Sequence, residues 1–532
     1  MSAAVESRAR PAASALLLGG LVILALGLRL PSFSGALWGD ELATNYVVNG
    51  FGVGDLGWIL THGKEATPPL FFALTWLTRW FDDTEGLRLV SLLAGLAAIP
   101  LTYLVGLDTV GRQAATVGAT LVALSPFQIF YATEARAYEL LMLLCLLATF
   151  ALLRALRSGR TGWWVAYGLS ASAAMYTHYA AIFVLVALFG WAFLSHREAR
   201  RPLILATLGA ALLFAAWIPE FIDDTGKQAA KNIELIHPLT LAQAKTDMVR
   251  MWFGSPLLDV ADVPGGLALA LIAASLALGF LGLALRLRGT ANWWPPSRGV
   301  ELVLALALAA PVGAALHNVV APSVFVPRNL IASWPGFALL VGAVVTAGQR
   351  PIRTASVGLL LVGFGIGAVK MLDGENRRPE VAAAAAYIER TGDPGSPVID
   401  VPQITPGPQT AIEAALAPKG KALPVGRPIF ELGLPPFAER LELNRRGQSL
   451  SQAGPAVPPD QIARQAADAA GNGTLFVVGP PGPLGQWRAF PGAPASLLAA
   501  LPQRFHEVAS RTFGSSAFGI GVHVLSDERA RP

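Results

Sequence analysis

The chain contains 532 residues, of which 53% are apolar and only 14% are charged, and its mean hydropathy is +0.51. A soluble protein carries roughly 25% charged residues, so this composition excludes an ordinary soluble enzyme and indicates a protein with many membrane-spanning helices. The net charge of +5 and the pI near 9.4 do not indicate nucleic-acid binding, because the arginines lie in short loops between apolar runs, as orientation signals do in membrane proteins.

The first apolar run follows Arg8 and Arg10 and predicts a membrane-spanning helix that starts in the cytoplasm. A cleaved signal peptide is the alternative, but the run is long for one and no clear cleavage site follows it. Further apolar runs continue to residue 371, and those near the required length of about 20 residues are candidate spans. The candidate spans are 12–30, 87–107, 114–131, 136–156, 163–178, 179–195, 203–222, 265–286, 300–320, 329–347 and 354–371.

Two adjacent acids, Asp40 and Glu41, follow the first span directly. A solvated loop is the simple explanation, since acids at a membrane surface cost nothing there. The neighbouring Trp38 and Tyr46 favour a different interpretation, because they would hold the carboxylates near the bilayer. A carboxylate in a partly dry cleft can act as a general base towards a hydroxyl group. We therefore predict that Asp40 and Glu41 are catalytic residues.

Three ionisable residues, His62, Lys64 and Glu65, precede Pro68 and Pro69. Proline is favoured in the first turn of a helix, because its missing N–H costs nothing there, so the two prolines predict a helix over 68–81. Helix-start residues and surface charge explain the prolines but not the clustering of the three ionisable groups. We predict that these three groups bind substrate.

The short connection around residues 132–137 joins two apolar spans and carries Glu134, Arg136 and Tyr138. Charged groups at membrane depth are expensive and are functional candidates by default. Pairing of the charges, or snorkelling of the arginine to the surface, is the alternative. An arginine in this place suits bidentate binding of phosphate.

Two weaker candidates, His178 and Arg328, lie at other turns between spans. A histidine at a span end is more often structural, and an arginine there is usually an interface anchor. Their interest is that the predicted topology places both on the same side as Asp40.

The orientation follows from the positive-inside rule. With the arginine-rich loops in the cytoplasm, the segment 68–81 begins and ends outside and is predicted to be an interfacial helix. The chain then has eleven spans, with the N-terminus inside and the C-terminus outside. Residues 31–86 and 223–264 form two large extracytoplasmic loops, and residues 372–532 form a soluble extracytoplasmic α/β domain. The cytoplasmic loops contain Arg154/Arg157/Arg160, Arg197/Arg200/Arg201, Arg286/Arg288 and Arg350/Arg353.

At these motifs the chain resembles the GT-C superfamily of membrane glycosyltransferases, in particular the lipid A aminoarabinose transferases and the protein O-mannosyltransferases. The resemblance covers residues 12–371. It rests on the order and spacing of several motifs, each of which is weak alone. These motifs are Asp40-Glu41, Pro68-Pro69-Leu70, Arg88 with Ser91, Ser125-Pro126, Glu134 through Tyr138, and Pro327-Arg328.

The resemblance implies a catalytic domain at 1–371 that uses a polyprenyl-phosphate-linked sugar on the extracytoplasmic face of the plasma membrane. Asp40 matches the catalytic base of the family, and Arg136 matches a contact to the donor phosphate. The acceptor would be a glycolipid, polysaccharide or protein of the cell envelope. Phosphate is already a good leaving group, so a metal is not strictly required, and the sequence leaves a divalent metal open.

The chain departs from the family at two motifs. His62 and Lys64 stand several residues before Pro68, where many members have histidine or lysine directly before two prolines. The late motif reads Arg328-Asn329-Leu330, where members often have arginine, tyrosine and leucine. Two other functions remain open, namely a transporter of lipid-linked sugars and a membrane scaffold whose C-terminal domain binds an envelope partner.

Overall fold

The computed structural model describes most of the chain. The described residues are 2–49, 67–81, 83–226, 239–288, 297–378, 380–401, 410–417, 427–432, 457–484, 495–514 and 519–527. The predicted substrate-binding residues His62, Lys64 and Glu65 lie outside these ranges.

The chain divides into two compact units. The helical unit contains Met1–Phe33, Ala66–Leu74 and Arg88–Leu372, and the sheet unit contains Ser34–Glu65, Thr75–Leu87 and Asp373–Pro532. Residues from the predicted first loop thus belong to the same compact unit as the C-terminal region.

The described part of the chain up to residue 372 is helical. Its α-helices are α1 (Ser2–Phe33), α2 (Glu41–Asn49), α3 (Leu70–Thr78), α4 (Asp83–Thr109), α5 (Arg112–Leu124), α6 (Pro126–Tyr131), α7 (Tyr138–Ser158), α8 (Thr161–Met175), α9 (Ala181–Ser195), α10 (Arg200–Phe214), α11 (Ile218–Gly226), α12 (Leu241–Phe253), α13 (Gly266–Arg288), α14 (Arg298–His317), α15 (Trp334–Thr346) and α16 (Arg350–Lys370). A 3-10 helix, Pro327–Ser333, leads into α15.

Eight helical stretches among the described residues are long and apolar enough to cross a membrane. They correspond to eight of the eleven predicted spans, which confirms a polytopic helical membrane protein. The other three predicted spans contain shorter helices, α5, α8 and α9. Helix α9, for example, has 15 residues and is therefore about 22 Å long, less than the roughly 30 Å of a bilayer core. The count of eleven spans stays a prediction.

The predicted span 114–131 is a pair of helices rather than one continuous helix. The break lies at Ser125 and Pro126, where α5 ends and α6 begins. Ser125 has extended backbone geometry, and its side chain accepts a hydrogen bond from the backbone N–H of Gln128 at 3.3 Å. The residue before a proline disfavours the helical conformation, and a serine cap satisfies an N–H at the start of the next helix. The Ser125-Pro126 motif therefore redirects the chain towards the turn that carries Arg136.

Small residues form the closest contacts between helices of this unit. A Cβ atom added at Gly336 of α15 would lie 2.5 Å from the backbone nitrogen of Ala307 on α14, and one added at Gly342 would lie 2.5 Å from the carbonyl oxygen of Ala114 on α5. Helices in a membrane approach closely at such residues, because lipid supplies no hydrophobic force between helices. The two glycines therefore allow α15 to pack directly against both neighbours.

Helix α3 begins directly after Pro68 and Pro69 and contains nine residues, so its length is about 14 Å and it cannot cross a bilayer. The aromatic rings that follow it, Trp80 and Phe81, are 74% and 76% exposed. The Arg79 guanidinium lies 4.3 Å from the ring centroid of Trp76. Exposed aromatic rings beside an arginine are typical of the membrane–water interface. These features agree with an interfacial helix, whose position relative to a membrane stays a prediction.

The sheet unit contains a five-stranded mixed sheet with the order β2-β1-β3-β5-β4. Strand β1 pairs in parallel with β2 and β3, whereas β5 pairs antiparallel with β3 and β4. The sheet confirms the predicted C-terminal α/β fold. The strands are β1 (Val398–Asp400), β2 (Ile429–Glu431), β3 (Thr474–Gly479), β4 (Phe505–Phe513) and β5 (Ile520–Asp527), and the helices are α17 (Val381–Thr391), α18 (Ala411–Leu416), α19 (Pro459–Ala470) and α20 (Ala495–Ala500).

Both faces of this sheet are covered by helices. On one face, Leu475 and Val477 belong to a core cluster with Ile462 of α19. On the other face, Phe476 belongs to a cluster with Ile388 of α17. A strand buried on both faces needs a largely apolar run, and the segments 397–401 and 474–478 are apolar except for Asp400 and Thr474.

Candidate functional site

The turn between α6 and α7 holds Arg136 in a defined backbone position. The backbone N–H of Arg136 donates to the carbonyl oxygen of Glu134 at 2.7 Å. The Ser91 hydroxyl on α4 donates to the carbonyl oxygen of Arg136 at 3.0 Å. The guanidinium Nη2 donates to the hydroxyl oxygen of Thr67 at 3.2 Å, and the side chain is partly exposed. These contacts orient Arg136, and the N–H donors of a guanidinium suit an anionic ligand.

The turn between α8 and α9 carries His178. Its ring nitrogen Nδ1 accepts a hydrogen bond from the backbone N–H of Ala180 at 3.1 Å. A neutral imidazole with an accepting Nδ1 carries its proton on Nε2. Desolvation, together with the charges of Arg136 and Arg328, lowers the pKa of His178 to about 3. The side chain is therefore a neutral hydrogen-bond donor at neutral pH.

The 3-10 helix Pro327–Ser333 supplies Arg328, which is partly exposed. Its charge and that of Arg136 both act on the pKa of His178, so the fold brings three predicted site residues into one electrostatic environment. These residues come from three separate segments of the chain. A cluster of two arginines and a neutral donor suits a group with high negative charge density, such as a phosphate.

The two other predicted residues of this region are buried beside the cluster. Tyr138 is 3% exposed, and its ring lies 5.8 Å from that of His178 and 5.2 Å from that of Tyr131. Glu134 is 8% exposed. The aromatic ring of Tyr138 therefore connects the Arg136 turn to the His178 turn.

The Pro68-Pro69 helix start meets the His178 turn directly. The backbone N–H of Leu70 donates to the carbonyl oxygen of Tyr176 at 2.9 Å. This bond and the Thr67–Arg136 bond place the start of α3 against both turns of the cluster. Thr67 was not predicted as a site residue, and its only sequence signal is its place directly before the two prolines.

A second hydrogen-bonded group supports the His178 turn from its other side. The indole N–H of Trp217 donates to the hydroxyl oxygen of Tyr179 at 3.1 Å, and that hydroxyl donates to Asp224 Oδ2 at 2.5 Å. Burial and the Asp224 carboxylate raise the pKa of Tyr179 above its usual value. Asp224 lies at the start of the predicted loop 223–264, and its side chain is buried, so it anchors the His178 turn.

The catalytic candidates Asp40 and Glu41 belong to the sheet unit. Gly39 has a φ of 60°, a left-handed conformation that favours glycine and lets the chain turn just before Asp40. Asp40 is partly exposed, whereas Glu41 is fully buried. The Glu41 carboxylate accepts from the backbone N–H of Trp38 at 3.3 Å and lies 3.7 Å from the guanidinium of Arg378. Of the two acids, Asp40 is therefore the better placed to meet a substrate from solvent.

One buried polar group of the helical unit has no clear signal in the sequence. Arg29 of α1 is fully buried and donates to the carbonyl oxygens of Ala25, Val122 and Ala123. Glu139 of α7 is also fully buried and is electrostatically coupled to Arg29. The bonds from Arg29 to Val122 and Ala123 tie α1 to the end of α5. Among the described residues, no group of three or more His, Cys, Asp and Glu side chains could hold a metal ion.

The chain is similar to one known protein family and to several solved structures of membrane proteins. Residues 66–222 match the family described as dolichyl-phosphate-mannose-protein mannosyltransferase. A comparison with proteins of curated function gives no match.

Two similar solved structures are those of ArnT from Cupriavidus metallidurans. The apo structure has a TM-score of 0.55 and 14% sequence identity, and the alignment covers 97% of this chain and 98% of ArnT. The structure bound to undecaprenyl phosphate has a TM-score of 0.54 and 14% identity, with 96% and 97% of the two chains covered. An identity this low shows the fold alone. The chain shares the fold of ArnT, and this fold together with the family match confirms the resemblance predicted from the motifs.

Proposed function

We propose that this protein transfers a sugar from a polyprenyl-phosphate-linked donor to a hydroxyl group of a cell-envelope acceptor, on the extracytoplasmic face of the membrane. The observation that carries the proposal is the cluster of Arg136, His178 and Arg328, because such a cluster suits a phosphate. The GT-C fold supports it, and the similar ArnT structure bound to undecaprenyl phosphate provides the chemical class of the lipid.

In the proposed reaction, the acceptor oxygen attacks the anomeric carbon of the sugar while the bond from that carbon to the phosphate oxygen breaks. The bonding electron pair leaves with the lipid phosphate, so negative charge grows on that oxygen. Arg136 stabilises this charge, and Arg328 adds to the positive potential. Groups that are already oriented towards a developing charge stabilise a transition state efficiently, because little reorganisation is needed during the reaction.

Asp40 is the proposed general base, which accepts the proton of the acceptor hydroxyl during this single displacement. Attack on the face opposite the phosphate inverts the anomeric configuration. The support for Asp40 is its place directly after the first membrane helix and its partial exposure in the turn after Gly39. His62, Lys64 and Glu65 remain proposed substrate contacts.

The test begins with purified protein in nanodiscs and a panel of polyprenyl-phosphate sugars, with product formation and donor binding both measured. Arg136→Lys keeps the charge but loses the planar guanidinium, so the kcat/KM for the donor should fall about 10- to 100-fold, the range expected for lost hydrogen bonds to a charged group. Arg136→Ala should cost about 10²–10³-fold. Arg154→Lys is the matched control, because Arg154 is exposed at the end of α7.

Two outcomes would contradict the proposal in different ways. If Arg136→Ala keeps both donor affinity and turnover in a folded protein, Arg136 does not bind phosphate and only anchors its turn. If the wild-type protein moves a lipid-linked sugar across a bilayer and forms no glycosylated product, it is a transporter instead.

A further inference from the structure

The segment that carries Asp40 packs on the C-terminal sheet. Ala36 and Trp38 pack against the core cluster that includes Val381 and Ile388 of α17 and Phe476 of β3. Two residues just before Asp40 are therefore held by the hydrophobic core of an element that lies more than three hundred positions later in the sequence. The sequence predicted a soluble C-terminal domain without assigning a role to it.

A buried ion pair holds the other side of the same turn. The Glu41 side chain is fully buried, and the Arg378 side chain is 8% exposed, with 3.7 Å between Arg378 Nε and Glu41 Oε2. The same carboxylate oxygen accepts the backbone N–H of Trp38 at 3.3 Å. A carboxylate that is buried this deeply is costly without a partner, and Arg378 supplies an opposite charge next to Glu41.

The residues directly before and after Asp40 in the sequence are held by these contacts. Trp38 is anchored on the core, Gly39 makes the left-handed turn, and Glu41 is fixed by Arg378. The backbone N–H of Glu41 donates to the carbonyl oxygen of Trp38 at 3.3 Å, which closes the turn around Asp40. The position of the Asp40 backbone is therefore set by contacts within the sheet unit.

We propose that Arg378 and Glu41 are positioning residues for Asp40, and that holding this turn is a function of the C-terminal α/β region. The proposal rests on the proposed function only for the role of Asp40 as a base. The ion pair and the packing of Trp38 would position the turn whatever the reaction is. Glu41, a catalytic candidate from the sequence, thus acts through Asp40 and does not exchange a proton with the substrate.

The size of the effect follows from geometry. A misplacement of a catalytic group by about 1 Å can cost on the order of 10²-fold in rate. Arg378→Met removes the charge and keeps a long side chain, so we expect kcat to fall about 10²-fold while donor affinity changes less than about threefold. Arg378→Lys keeps a charge but loses the guanidinium geometry, and it should give an intermediate loss.

The experiment combines turnover with hydrogen–deuterium exchange of the backbone in nanodiscs. Arg378→Met should increase exchange in peptides that cover residues 36–46 and leave the peptides of α4 and α7 unchanged. Arg390→Met is the matched control, because Arg390 is an exposed arginine on α17 of the same unit. The double variant Arg378→Met/Glu41→Gln should lose no more activity than Arg378→Met alone, since residues that act through one contact are not additive.

The exchange and turnover measurements test the positioning role and its effect on catalysis separately. Unchanged exchange over residues 36–46 in Arg378→Met would overturn the positioning role, even for a protein with no measurable sugar transfer. Increased exchange with unchanged kcat would show that the pair holds the turn but does not serve catalysis, which also overturns the proposal. Failure of the proposed function is recognised separately, because the wild-type protein would then form no product with any donor.

Discussion

Replacing Gly95 with alanine should destabilise the helical unit and slow sugar transfer, although alanine is normally the better residue in a helix. Gly95 lies on α4, and a Cβ atom added there would lie 2.8 Å from the Cβ of Ala132 and 3.1 Å from Oε2 of Glu139. Carbon atoms in contact prefer separations of about 3.5–4.0 Å, so the neighbouring turn must move by up to about 1 Å. Ala132 and Glu139 lie on either side of Arg136 in the sequence, so this movement displaces the Arg136 turn.

The expected free-energy change follows from two opposing terms. Alanine in place of glycine stabilises a helix interior by about 0.5–1 kcal/mol. An extra methyl group in a packed core costs about 1–3 kcal/mol. The net loss in the free energy of unfolding for Gly95→Ala is therefore about 0–2.5 kcal/mol, and the midpoints of the two ranges give about 1 kcal/mol. The kcat/KM for the donor should fall about 10- to 100-fold, because the phosphate contact is displaced.

The assay compares thermal unfolding and turnover of Gly95→Ala with those of Gly209→Ala. Gly209 lies within α10, and a Cβ atom added there would meet no atom within 4 Å. The control should keep full activity and the same or a slightly higher Tm. Tryptophan fluorescence suits the measurement, since the chain contains 13 tryptophans. The reasoning is refuted if Gly95→Ala matches the control in both Tm and turnover.

Three further predictions concern the base, the histidine and the topology. Asp40→Asn should reduce product formation by about 10²–10⁴-fold and leave donor binding intact, because asparagine is nearly isosteric but cannot accept the proton. Near-normal turnover of this variant would contradict the role of Asp40 as a general base. The pKa of His178 is near 3 in the folded protein and 6.5 ordinarily, so the unfolded state binds more protons between these values, and the free energy of unfolding should fall as the pH decreases from about 6.5 towards 3. His178→Gln should weaken this pH dependence in chemical-denaturation curves, and an unchanged curve would contradict the low pKa. In a Cys145→Ala background, a cysteine introduced at position 83 should react with an impermeant thiol reagent from outside, and one at position 158 should not. Labelling of position 83 only from the cytoplasm would show that 68–81 crosses the membrane and would overturn the predicted topology.

The sequence was most informative about elements that depend on one local property, the length of an apolar run. Membrane helices need long apolar runs, because backbone groups in lipid must be hydrogen-bonded within the helix, and this requirement is visible without any tertiary contact. Strands β1 and β3 were visible as apolar runs for a related reason, since both faces of the sheet are covered. The predicted count of eleven spans is not tested by helix length, because α5, α8 and α9 are shorter than the apolar runs that predicted them.

The candidate residues stand out because several ionisable groups cluster near span ends on one side of the predicted topology, and the sequence shows their order along the chain. It could not show that Arg136, His178 and Arg328 act on one another, because that depends on how three distant turns are brought together. Adjacent acids have the same local chemistry, so only the family resemblance singled out Asp40 over Glu41 in the sequence. Burial separates them, because Glu41 meets Arg378 and Asp40 remains partly exposed. Apolar length and helix-start residues are local properties that sequence alone determined, whereas the partners of each charged group come from distant segments, and only the tertiary structure decided them.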